Sequence, residues 1–121
     1  STIASNSSTA VAFSDGSTTI SAAMAQDAEL NKLFWDFLSG EAMPEDNARR
    51  AHAIIILYLN VMEQAFDLYS SGALSEDKWQ GRYMQLKWFA TQPGFPKFWE
   101  IYGELQAPSW KAMVNETMKN A

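Results

Sequence analysis

His52 is the only histidine in the chain, and histidine is the side chain best suited to exchanging a proton near neutral pH. To act as a general base it needs a carboxylate that orients the ring. The preceding acids, Glu45 and Asp46, lie six or seven residues back, about two helical turns, so within one helix they support it poorly. His52 therefore reads as a partly buried structural residue at the edge of an apolar run.

Glu63 and Asp67 are four residues apart and, with Asn60 and Ile56, follow one line along the same predicted helix. Two carboxylates on one face can bind a hard cation or divide acid and base roles. The diiron pattern of helical bundles, however, pairs Glu with His three residues on, and position 66 is Phe. No metal, cofactor or catalytic residue is expected. The ordinary explanation of such a pair is a solvated stripe, or an ion pair from Glu63 to Arg82 or Arg50 where helices meet.

Aromatic residues are the other candidates. Trp79, Trp88, Trp99 and Trp110, with Tyr83 and Tyr102, can line a pocket for a lipid, quinone or sugar, although aromatics at helical spacing are usually core. Lys87, Trp88 and Phe89 are consecutive and cannot all point inward from one helix, which leaves aromatic surface for a partner. Asn6-Ser7-Ser8 and Asn115-Glu116-Thr117 match the glycosylation acceptor pattern, which has meaning only in a eukaryotic secretory context.

The elements that position these residues are punctuated regularly. Asp27 can cap a helix carrying Leu30, Leu33, Phe34, Phe37 and Leu38, with Gly40 as its stop. Pro44 opens a second helix, with Glu45 and Asp46 at the positive end of its dipole and Gly72 after its end. Its middle, Ala53 to Leu59, is apolar on every side, so neighbours are expected to cover it. Ser75 caps a third helix that buries Trp79, Tyr83, Leu86 and Phe89 or Ala90, and Gln92-Pro93-Gly94 breaks it. Pro96 suits the start of a fourth carrying Phe98, Trp99, Ile101, Tyr102 and Leu105; Pro108 and Ser109 precede a short last helix with Trp110, Met113 and Val114. The expected fold is all-α: a compact bundle of four to five helices around a central buried helix, successive helices running roughly antiparallel.

The 121 residues, 47% hydrophobic and 13% aromatic, suffice for one domain with its own core. There is no cysteine, hence no disulfide framework, thiolate metal site or cysteine nucleophile. The net charge is −5 and the nine Lys and Arg are scattered, so phosphate backbones and anionic membranes are repelled; no nucleic-acid partner is expected. The apolar run is far short of the ~20 residues that cross a bilayer.

Residues 1–26 differ from the rest. Ser and Thr dominate, Asp15 is the one charge before Asp27, and no basic stretch leads into an apolar one as in a signal peptide. This reads as an N-terminal arm or linker ahead of a helical domain over 27–121. Thr9 to Phe13 and Ser17 to Ser21 flank Asp15-Gly16, which allows a hairpin over 9–21; because isolated hairpins are marginal, a flexible arm is the favoured alternative.

Asp27-Ala28-Glu29-Leu30, Arg49-Arg50 in a helix leading to Glu63, Tyr69-Ser70-Ser71-Gly72-Ala73-Leu74, Trp79, Pro93-Gly94 and Phe98-Trp99-Glu100 together resemble a loose class of uncharacterised small bacterial all-helical proteins, many with an N-terminal membrane anchor. The resemblance spans about residues 27 to 114 and rests on helix caps and core aromatics. It implies a domain tethered to a membrane by a segment outside this sequence, and no activity. The chain departs from that pattern in its Ser/Thr-rich lead.

Three functions follow as expectations. The first is a non-enzymatic helical interaction module, an accessory subunit of a larger or membrane-associated assembly, docking through its N-terminal arm and exposed aromatics onto a protein partner or another copy. The second is a small-molecule binding domain with an aromatic pocket near Trp79, Tyr83 and Trp99, gated by Arg82 and Glu63. The third is a hydrolytic or isomerising enzyme using His52 and Glu63.

Overall fold

The structure is a computed structural model that describes residues 16–121; the described residues form helices and no strand. Six helices follow one another among them: α1 over residues 16–25, α2 (Ala28–Leu38), α3 (Glu45–Ser70), α4 (Glu76–Thr91), α5 (Phe95–Tyr102) and α6 (Pro108–Lys119). A single 3-10 turn, Gly103–Leu105, joins the last two.

The helix ends follow from local chemistry. The Asp27 side chain accepts the Leu30 N–H at 3.0 Å, and Ser75 Oγ accepts the Lys78 N–H at 3.2 Å, each satisfying a donor that the first turn leaves open. α2 and α3 stop alike. Gly40 and Gly72 take φ of +87° and +82°, and the chain folds back so that Gly40 N–H bonds Phe37 O and Glu41 N–H bonds Asp36 O, with Gly72 to Tyr69 and Ala73 to Leu68 repeating the pattern.

α2 packs on α3, α3 on α4, and α4 on α5 and α6. The main core takes Phe34, Phe37 and Leu38 from α2, Ile54, Ile55, Leu59 and Met62 from α3, and Leu86 and Phe89 from α4. Phe95, Phe98 and Trp99 from α5, with Trp110 and Val114 from α6, complete it. Each large side chain so buried stabilises the fold by about 1.5–3 kcal/mol before entropy is counted. Ala65, Leu74 and Trp79 form a smaller cluster at the far end of α3. Arg50 pairs with Glu29 at 2.6 Å and ties α3 to α2 at the surface.

Three expectations need correction. The helix count is six rather than four to five, because residues 16–25 of the expected arm are helical. Ile20 and Met24, four apart, sit on one face of α1 and are buried in the core, and that anchorage with Ala22, Ala23 and Ala25 outweighs the β preference of Thr18, Thr19 and Ile20. Ser17 to Ser21 is therefore not a hairpin strand, and packing into the core begins ahead of residue 27. Thr9 to Phe13 and Asp15, the rest of that hairpin, lie outside the described residues.

Second, α3 is not covered all round: α2 and α4 leave one side open, so Ala53 is exposed and Leu57 stays 47% exposed. Third, the helix expected to carry Leu105 ends at Tyr102, and Leu105 falls in the 3-10 turn; α5 turns Phe95, Phe98 and Trp99 inward and leaves Ile101 facing solvent.

Candidate functional site

Two recesses among the described residues both use α2 and α3 as walls. The first, about 240 Å³, lies among α1, α2, α3 and α4. Phe34, Tyr58 and Phe89 meet there with ring centroids 5.8 to 6.2 Å apart. Trp35 of α2 and Trp88 of α4 close one side edge to face at 5.5 Å, an arrangement their ring quadrupoles favour by roughly 0.5–1.5 kcal/mol. They remain 48% and 38% exposed. Asn31 Oδ1 accepts the Trp35 indole N–H at 3.0 Å and fixes that ring. Ser17, Ser21 and Gln85 supply the polar edge, and among the described residues no charged side chain lines the recess. A 3.0 Å hydrogen bond joins Ser21 Oγ to Tyr58 OH, so α1 is fastened across one end.

The second recess, about 290 Å³, lies where the α2–α3 turn meets α3 and α5. His52 forms part of its wall, with its ring edge-on to Phe37 at 4.6 Å and to Phe98 and Tyr102 at 5.5 Å each. Burial among these rings, and then the positive charge of Lys97, hold the imidazole below its ordinary value, so His52 is neutral at pH 7. Among the described residues no carboxylate orients it by a hydrogen bond.

Of the residues read from the sequence as a pocket, Trp79 and Tyr83 meet, whereas Trp99 lies in a different cluster. Trp79 is buried, with Tyr69 and Tyr83 stacked against it at centroid distances of 5.4 and 5.8 Å. Trp99 belongs to the other cluster, stacked on Phe95 at 6.1 Å, with its indole N–H donated to Asn115 Oδ1 at 2.7 Å. Arg82 donates to Gln85 Oε1 at 3.2 Å. Glu63 is half-buried, and burial, followed by the charge of Asp67, raises its carboxyl. Arg50 does not serve Glu63, since 13 residues along a helix is about 20 Å; its partner is Glu29. Of the expected set, Trp88 lines the first of these two recesses, from its exposed position on α4.

Trp35 and Tyr58 are the residues that sequence reasoning passed over. The argument that isolates Trp88 applies equally to Trp35: Phe34, Trp35 and Asp36 are consecutive, and the Leu30, Leu33, Phe34, Phe37, Leu38 stripe leaves Trp35 outside the buried face. Asn115-Glu116-Thr117 is inside α6, with Thr117 buried and its hydroxyl donated to Met113 O at 2.8 Å. That is not the exposed loop an acceptor site requires.

Among the described residues no group of three or more His, Cys, Asp or Glu is placed to hold a metal ion, and no helix is long and apolar enough to cross a membrane. Comparison of the chain with protein-family models, with curated proteins and with solved structures found no match.

Proposed function

We propose that this chain is a non-enzymatic helical interaction module, an accessory subunit that docks a protein partner through the aromatic face of α2 and α4. The observation that carries the reading is the exposed Trp35–Trp88 pair. Two indoles, with exposed Met84 one turn before Trp88 on α4, gather aromatic and apolar area on one face of the surface. Trp is the residue type most enriched among binding hot spots, because it offers a large rigid area at little entropic cost. The edge-to-face contact and the Asn31 hydrogen bond hold the platform in place before a partner arrives.

The test is capture from the native source. The wild-type chain is expected to retain a defined partner that the double variant W35A/W88A loses, with each single substitution costing about 2 kcal/mol or more of binding. A double variant that folds and still retains the partner sinks the proposal.

A second reading rests on the recess behind those rings. Its Phe34, Tyr58 and Phe89 walls and its Ser17, Ser21 and Gln85 edge suit a small uncharged aromatic ligand. A cavity of about 150 Å³ is known to take benzene, so 240 Å³ accommodates a bicyclic ring. Saturable quenching of Trp fluorescence by indole or naphthol, abolished in Y58A, favours this reading over a protein partner.

A further inference from the structure

The recess beside His52 carries a distribution of charge that the aromatic one lacks. Its apolar wall is Phe37, Met43 and Ile101, and Ile101 is left 58% exposed at this site. Two opposite charges line the same recess, Glu41 from the α2–α3 turn and Lys97 from α5, and neither has an ion-pair partner among the described residues. The third polar group is His52, which lines the recess, is held by rings and makes no hydrogen bond among the described residues, yet its nitrogens are not fully buried.

We propose that this recess binds a free α-amino acid with an apolar side chain, its carboxylate at Lys97, its ammonium at Glu41 and its side chain against Phe37, Met43 and Ile101. A simple anion is repelled by Glu41 and a simple cation by Lys97, whereas a small zwitterion satisfies both. The size agrees: with about 150 Å³ enough for benzene, 290 Å³ leaves room for one ring or branched chain plus the α-carbon and its charged groups. The neutral imidazole contributes a hydrogen-bonding group without adding a second positive charge. The inference stands independently of the aromatic face on α2 and α4.

Because the chain has one histidine, the His52 Cε1–H resonance is a unique probe, and the Ile101 methyls give a second. The full chain is titrated with L-phenylalanine and L-leucine, and with the single-charge analogues phenethylamine and hydrocinnamate. Saturable shifts of both probes are expected with the amino acids, the analogues binding about fivefold more weakly or worse. E41Q and K97Q, both surface changes, are each expected to weaken amino-acid binding about fivefold with the melting temperature unchanged. Probes that stay still up to about 10 mM ligand, a range that already admits very weak binding, overturn the proposal. So do analogues that bind as well as the amino acids, or either variant binding like wild type.

Discussion

Gly94 is seated directly on the end of α2: its N–H donates to Leu38 O at 2.9 Å, and a Cβ placed on it would stand 1.9 Å from the carbonyl oxygen of Phe37. Backbone meets backbone here, so nothing flexible can yield. This contact joins α5 to α2 and fixes the rim of the recess that holds His52.

Gly94→Ala is therefore expected to cost roughly 3 kcal/mol or more, near the upper end for forced overpacking. Gly81 supplies the contrast, since it lies inside α4 with open space where a Cβ would go. Gly81→Ala is expected to stabilise by roughly 0.5–1 kcal/mol through helix propensity alone. Thermal melts of the two variants should move in opposite directions.

His52 makes stability depend on pH. Its folded value lies below the ordinary 6.5, so the unfolded chain takes up a proton first. As pH falls through 6.5 toward the folded value, the folded state loses ground, and below that value the loss is complete. Denaturant midpoints should therefore decline on mild acidification, and His52→Gln should remove that part of the slope. An unchanged slope in the variant contradicts the assignment.

Glu63 works with the opposite sign. Its folded value lies above the ordinary 4.5, so its charged form is disfavoured by folding, and that cost is present at neutral pH and relieved as pH falls to 4.5 and below. Glu63→Gln is expected to melt higher than wild type at pH 7, with the advantage shrinking on acidification. A variant that is less stable at pH 7 would mean the carboxylate is doing something favourable.

Tyr58 fastens α1. Its hydroxyl shares a 3.0 Å hydrogen bond with Ser21 and approaches Met24 Sδ at 3.8 Å. Tyr58→Phe keeps the ring and removes those bonds, which should cost about 1 kcal/mol. The effect should concentrate in α1, seen as faster amide exchange over residues 16–25 while α3 and α4 stay protected.

The helix boundaries were legible because caps act locally. Asp27, Ser75, Gly40 and Gly72 each do their work within a few residues, through bonds the sequence spacing already implies. α1 was not legible, since Thr18, Thr19 and Ile20 favour strands and only the distant partners of Ile20 and Met24 reverse that preference. The site was harder still. Trp79 and Trp99 look alike in sequence, and which cluster each joins depends on how α5 and α6 pack on α4, a long-range matter that periodicity along one helix does not encode. Trp88 betrays itself through crowding by its neighbours, and the same crowding marks Trp35.

The unequal placement of the five tryptophans gives the molecule two optical signals. Trp79, Trp99 and Trp110 are shielded and should emit at the blue end, out of reach of iodide, while Trp35 and Trp88 should emit toward the red and be quenched by it. Unfolding shifts the first group and occupation of the aromatic face shifts the second. One cuvette can thus distinguish an event on the outside of the bundle from the collapse of its interior.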